Sequence, residues 1–389
     1  MKKGLLHLFL FLLTFTATTF AGMEWTAGRF ITIPEGEDWT FLEAVWRYLT
    51  DIEKSDLIKG LTYSIPFLTI LTFHEFGHYF TAKYYKLKVT LPFYIPFWFL
   101  GLMPAIGTMG AFIRIKSMIR SRKEFFDVGI AGPLAGFIVA LFVIFYGFTH
   151  LPEPDYIYEI HPEYKELGAN YEEEAYKDLP EGANLQMGTN LLYEFCKAYL
   201  VDDPARIPNP HEIMHYPWLL AGFLACFFTA LNLIPIGQLD GGHILYGLIG
   251  SKKHRIASPA FFVLFIFIGG LGIFSIQDFV ENFDYNMQMV AFYLLFLFFV
   301  FDKLSKNKLH IVLIVFGVFS LQLLVKYIFP EVIGFSGWLV FGLLLGRVLG
   351  VYHPETYERK PLDTKRKVIG WISLIIFVIS FSPAPFIIT

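Results

Sequence analysis

Charged side chains are scarce in this sequence: Asp, Glu, Lys and Arg make up 17% of its 389 residues, against about 25% in a typical soluble domain. With 55% of positions hydrophobic, that scarcity excludes an ordinary soluble globule. Cysteine is almost absent. Cys196, read as lying in a loop, and Cys226, inside an apolar stretch, form neither a C-x-x-C pair nor a disulfide framework. A basic tract interleaved with aromatics is also missing, which argues against nucleic-acid partners. No internal repeat and no low-complexity tract interrupts the chain.

What is abundant is apolar sequence in blocks near 20 residues, the length that crosses a bilayer as a helix. The blocks fall near 4–23, 58–84, 127–149, 216–236, 257–276, 287–302, 309–329, 332–350 and 368–387. They predict an all-α polytopic membrane protein of about nine transmembrane helices, whose surroundings are the lipid bilayer. Lys2 and Lys3 place the N-terminus inside. The segment 24–57 is acidic, with Glu35, Glu37 and Asp38 among its carboxylates, and belongs outside. Residues 85–126, rich in Lys and Arg, belong inside, and the acidic loop 150–215 outside. The basic turns at 252–255, 303–308 and 359–367 again fall inside, so the alternation closes. The run Gly4–Gly22 exceeds the 7–15 apolar residues of a usual signal peptide and has no clean small-x-small cleavage site, so it is expected to stay as the first span. Three parts follow: 1–57, the first span with its outer segment; 58–250, the core spans with the loop 150–215; and 251–389, additional C-terminal spans.

Two stretches break the helical pattern. Residues 88–117 contain Pro92, Pro96, Pro104, Gly101, Gly107 and Gly110, which no continuous helix accommodates. Their aromatic and β-branched content predicts a small interfacial β loop. Around Pro235 a span is interrupted as N-L-I-P-I-G-Q-L-D-G-G-H, residues 232–243. Non-helical backbone at that depth persists only where protein or a water-filled cavity covers it.

Inside the second apolar block the chain reads H-E-F-G-H at 74–78. On a helix His74 and His78, spaced i, i+4, share a face and are close enough to bind one Zn²⁺. Glu75 lies on the adjoining flank, where a carboxylate can take a proton from water activated at the metal. Ionisable groups in hydrocarbon are costly and mark function. A catalytic zinc needs a third protein ligand, and Asp240, at the broken helix, is the leading candidate, with a helix-capping role as the alternative. Asn232 either turns its amide toward a tetrahedral oxyanion or repairs backbone freed near Pro235. His243, one turn after Asp240, fits a supporting role behind a ligand or a spare polar contact. Gly77 lets another backbone approach closely, and Gly132-Pro-Leu-Ala-Gly136 offers the small surface that such packing uses.

Taken together, H-E-F-G-H at 74–78, A-G-P-L-A-G at 131–136 and N-L-I-P-I-G-Q-L-D-G-G-H at 232–243 resemble the three signatures of the site-2 protease family, membrane-embedded zinc metalloproteases. The resemblance covers roughly 58–136 and 186–250. It implies one zinc per chain on His74, His78 and Asp240, with Glu75 as general base and acid and Asn232 assisting the oxyanion. The substrates it implies are single-span membrane proteins, cut in or near their transmembrane segments. The segment 107–113 looks like the family's membrane-associated β loop, which implies that Gly107, Thr108, Gly110, Phe112 and Ile113 hold an extended substrate. The regulatory PDZ insertion common in the family has no counterpart in the short acidic loop 150–215. The chain thus looks most like the PDZ-less branch of bacteria and plastids, and a bacterial inner membrane is the expected location.

A di-iron membrane oxygenase would need several more spaced histidine pairs, and only His211 and His215 offer one. A transporter or scaffold would explain the break near Pro235 but leaves H-E-F-G-H and Asp240 without a reason.

Overall fold

The computed structural model describes residues 3–31, 39–168, 171–177 and 185–388. Lys2, Glu35, Glu37 and Asp38, used above to orient the chain, lie outside the described residues. Each apolar block falls on a helix. In chain order these are α1 (Lys3–Ala27), α2 (Lys54–Tyr84), α3 (Arg122–Thr149), α4 (Pro217–Leu233), α5 (Asp240–Gly269), α6 (Phe283–Phe301), α7 (Lys308–Ile328), α8 (Gly337–Leu344) and α9 (Thr364–Ser380).

The helix starts are written locally. Ser121 accepts from the Glu124 amide at 3.1 Å while the Glu124 carboxylate accepts from the Ser121 amide, a reciprocal cap that opens α3. Pro217 stands at the first position of α4, where its missing N–H costs nothing. Asp363 caps α9 by accepting from the Arg366 amide at 3.1 Å.

Among the described residues, four helices are both long and apolar enough to cross a membrane: α1, α3, α6 and α7. Of the nine expected spans, these four meet both criteria. The remaining helices differ for identifiable reasons. α4 has only 17 residues and α8 is likewise short, continuing to Leu349 as a wider π turn. α2 carries the H-E-F-G-H cluster and α9 opens with a basic turn. α5 is bent at Gly250, whose φ of 78° is left-handed. The expected division at 250 coincides with that bend, but packing crosses it.

Among the described residues the fold is mostly helical, with two small sheets. β1 (Phe93–Phe97) pairs antiparallel with β2 (Gly107–Phe112), placing Phe93 opposite Phe112 and Phe97 opposite Gly107. The register shifts between Tyr94 and Pro96, as expected where proline removes a ladder donor. This is the small β loop expected within 88–117. It is fastened to α1: the Trp25 indole donates to the Ala105 carbonyl at 2.8 Å, and Phe20 stacks on Trp98. A second sheet was not foreseen. β3 (Leu185–Met187) pairs antiparallel with β4 (Phe386–Ile388), tying the 150–215 segment to the chain beyond α9. Cys196 is not in an open loop; it is buried in the short helix Leu191–Leu200.

The main core gathers α2, α3 and α4 around Tyr63, Ile144 and Phe223. A second cluster, around Trp338, Phe262 and Leu297, joins the C-terminal helices to the Ile234–Ile236 break between α4 and α5. The break is therefore covered by protein, as non-helical backbone at that depth requires.

Candidate metal centre

On α2 the one-turn spacing brings the rings of His74 and His78 to 4.8 Å between centroids. Both are buried, as is Glu75. Close approach of α3 makes this possible. A Cβ on Gly77 would lie 2.4 Å from the Ala131 carbonyl oxygen and 3.0 Å from the Gly132 Cα, so the two backbones meet as the glycines suggested. On α3, Gly129, Gly132 and Gly136 follow each other at three- and four-residue steps and share one face. Each of the three meets a histidine: a Cβ would stand 2.7 Å from His243 Cβ, 2.1 Å from His78 Nε2 and 3.0 Å from His74 Cβ, respectively.

The third group arrives from the break. α4 ends at Leu233, the chain turns through Ile234–Leu239, and α5 begins at Asp240. The turn is tight because Gly237 adopts a φ of 58° and because Gly241 packs on the Leu233 carbonyl, 2.0 Å from where a Cβ would be. Leu239, not Asp240, occupies the capping position, which leaves the carboxylate free to face α2. Its Oδ2 lies 3.4 Å from His74 Nε2 and 3.2 Å from His78 Nε2, and the two Nε2 atoms are 3.1 Å apart.

Those separations test the donor set. Ligands about 2.0–2.1 Å from a tetrahedral zinc stand roughly 3.3 Å from one another, so three donors at 3.1–3.4 Å match the edges of such a tetrahedron. The tautomer agrees. His78 Nδ1 is 2.7 Å from the Val128 carbonyl oxygen, which can only accept. Nδ1 therefore carries the proton and Nε2 presents a lone pair to the centre.

A cavity of about 610 Å³ opens on these groups, with Glu75, Asn232, Phe112 and Ile113 in its wall. Asn232 lies in the last turn of α4. The amide freed at Gly237 is taken at 2.9 Å by the Ser258 hydroxyl from α5, which itself donates to Val351 O. The residues expected to hold substrate divide. Phe112 and Ile113 line the main cavity, Ile113 one residue past the end of β2, while Gly110 borders a smaller pocket beside His74. Gly107 and Thr108 turn elsewhere. A Cβ on Gly107 would lie 2.3 Å from Thr18 Cα in α1, and the buried Thr108 hydroxyl donates to Ile95 O at 2.8 Å.

His243 is no spare contact. Its Nδ1 is 2.8 Å from Nε2 of His353, and the His353 ring stacks on Tyr246 at 3.9 Å. Burial, with the His243 ring alongside, holds His353 down to about 3, so this ring stays neutral. Sequence reasoning missed His353, Gly129 and Ser258. His353 lies 110 residues from its partner, and no local pattern marks it. The spacing of Gly129 to Gly132 and Gly136 did carry a signal, as one stripe on α3.

Residues 62–276, more than half of the chain, match the sequence model of peptidase family M50. Similar proteins include a probable chloroplastic zinc metalloprotease EGY1 of Oryza sativa subsp. japonica, 31% identical over 185 residues, covering 47% of this chain and 27% of that protein. A probable chloroplastic zinc metalloprotease EGY2 of Oryza sativa subsp. indica is 30% identical over 227 residues, covering 58% of this chain and 35% of that protein. The Arabidopsis thaliana EGY2 is 30% identical over 210 residues, covering 52% and 32%. The chain spans about a third of the length of the curated relatives it matches. These relatives carry chloroplastic names, which do not support a bacterial inner membrane. No solved structure matches.

Proposed function

The chain belongs to peptidase family M50, and from that membership and the geometry of its buried centre we propose that it is a zinc metalloendopeptidase of the site-2 type. Its substrates are single-span membrane proteins, hydrolysed in or near their transmembrane segments. One observation carries this reading: His74, His78 and Asp240 converge from two helices beside Glu75, in a cavity that also receives Asn232.

His74, His78 and Asp240 are the three side chains that would hold the ion. Bound there, zinc supplies Lewis acidity toward the scissile carbonyl and lowers the pKa of water. Glu75 accepts the proton of the attacking water and delivers it to the departing amine, as general base and then general acid. The Asn232 amide N–H, in the same wall, donates to the oxygen of the tetrahedral intermediate. Val128 fixes the His78 tautomer throughout.

A transmembrane helix hides its carbonyls in its own hydrogen bonds, so a substrate must unwind before it is cut. Among the described residues β2 pairs only with β1, which supports a role for its other edge in receiving the unwound backbone by β-augmentation. Phe112 and Ile113 share the cavity wall with Glu75.

The alternation of acidic and basic segments supports a multi-pass chain with its N-terminus inside and as many as nine crossings. The test of the activity is proteomics of membrane fractions, comparing the wild type with Glu75→Gln. Single-span proteins accumulating in the variant support the reading, and identical membrane proteomes with full zinc content would overturn it.

A further inference from the structure

A second group of metal-binding side chains lies in the 150–215 segment, remote from the cavity. His161 follows a short helical turn, Ile157–Ile160, while Glu212 precedes and His215 ends the 3-10 turn, Ile213–His215, that leads into α4. Their ligand atoms converge. His161 Nε2 is 3.2 Å from His215 Nε2, and Glu212 Oε2 is 3.4 Å from His215 Nε2 and 3.8 Å from His161 Nε2. We propose that His161, Glu212 and His215 bind a second divalent transition-metal ion, with zinc the chemical class best matched, which fastens this segment to the membrane-embedded core.

The first argument is spacing. Donors around a tetrahedral zinc stand roughly 3.3 Å apart, and 3.2–3.8 Å brackets that edge with a slight opening at one side. The second is the set of supporting hydrogen bonds. His161 Nδ1 is 2.9 Å from Glu163 Oε1. Because a carboxylate accepts, Nδ1 carries the proton and Nε2 turns a lone pair inward, the carboxylate–histidine pairing that orients metal ligands. Glu212 is held in the same manner. Its Oε1 accepts from the hydroxyls of Tyr164, at 3.3 Å, and Tyr176, which aims Oε2 at the histidines.

The third argument is what is left over. Glu212 is 2% exposed, and its Oε2 has no hydrogen-bond donor. A buried carboxylate oxygen without a donor is strongly unfavourable. Here it faces two imidazole nitrogens, one of which already presents a lone pair. A cation among them satisfies all three atoms.

The stretch 211–215 reads H-E-I-M-H, but it is not a second hydrolytic motif. It is not wound as an α-helix, so His211 and His215 do not share a face. His211 instead stacks on Tyr176 at 3.7 Å and lies 2.7 Å from Asn209 Oδ1. Glu212, the carboxylate of that stretch, is itself turned into the site by its tyrosine partners and is not free to act as a base. The role is fastening. The Tyr156 hydroxyl donates to His215 O at 3.0 Å, and His215 sits against the end of α1 at Gly28. One ion would clamp the two ends of the 150–215 segment to each other and to α1.

The experiment is zinc counting by mass spectrometry on the full chain, purified in detergent and equilibrated with zinc alone. The wild type should carry two ions, His74→Ala with His78→Ala one, and His161→Ala with His215→Ala one. Glu212→Gln keeps an acceptor for both tyrosine hydroxyls and so preserves the local fold. It should weaken the second site by about tenfold or more in a chelator competition and leave the first unchanged. In the His74/His78 variant, a chelator should also expose the 150–215 segment to protease. A wild type with one ion, lost on replacing His74 and His78, would overturn the proposal, as would two ions retained in Glu212→Gln at wild-type affinity. Should the His161/His215 variant fail to fold, the Glu212→Gln result decides.

Discussion

A Cβ placed on Gly132 would stand 2.1 Å from Nε2 of His78. The atom in the way is the one whose lone pair faces the point on which Asp240 and His74 also converge, so the smallest side chain would collide with the centre itself. Gly132→Ala should therefore strip zinc from the His74–His78–Asp240 centre and abolish peptide hydrolysis. Gly317→Ala on α7, where nothing lies within 4 Å, should leave zinc content and activity at wild-type level. Zinc analysis of the two purified variants checks the contrast.

The donors and the base should separate cleanly. His74→Ala, His78→Ala and Asp240→Ala should each lower zinc content by one ion and remove activity together with it. Glu75→Gln should retain the ion and slow turnover by about 10²–10⁴-fold, the range of general acid–base catalysis. Full zinc retention in Asp240→Ala would show that another group completes the set.

Topology is open to labelling because both natural cysteines are buried. A cysteine at the position of Lys165 should react with a membrane-impermeant reagent from outside. Cysteines replacing Met118, which is exposed, or Lys360 should react only after permeabilisation. Labelling of the Met118 position in sealed membranes would invert the proposed orientation.

For the hairpin, the informative change is Ile113→Pro, just beyond β2 in the cavity wall. Proline deletes the Ile113 backbone donor, which reaches the Glu75 carboxylate, and interrupts the strand's continuation into the cavity wall. Cleavage of a transmembrane substrate should fall severely while zinc content and expression remain normal. Loss of zinc on this substitution would instead make the hairpin a structural support for α2.

The convergence of His74, His78 and Asp240 was legible because its signal is short-range: two histidines one helical turn apart, a carboxylate flanking a proline-glycine break, and glycines where backbones meet. The β loop was legible from its prolines and paired glycines. The partnership of His243 with His353 was not, because it joins positions 110 residues apart and His353 belongs to no periodic pattern. Nor was the association of His161 with Glu212 and His215, which depends on how the 150–215 segment folds back on α1. Among the described residues, nine apolar blocks yield only four helices meeting both span criteria, for a related reason. Hydropathy treats apolar sequence alike whether lipid or protein covers it, and α4 buries Leu219, Leu220 and Phe223 against other helices. Cys196 was assigned to a loop because its apolar helix is only ten residues long, too short to stand out from a polar segment.

The Gly237 amide is satisfied by Ser258, Ser258 by Val351, and the Gly237 backbone packs directly on Gly350. These contacts give the protein a timetable. During synthesis the histidines of α2 and Asp240 emerge long before residues 350 and 351, so the turn that aims Asp240 stays unstitched until that later segment has been made. A nascent chain halted before Gly350 carries every donor of the metal centre but not the segment that sets one of them in place. The placing of Asp240 thus depends on a segment more than a hundred residues further along the chain.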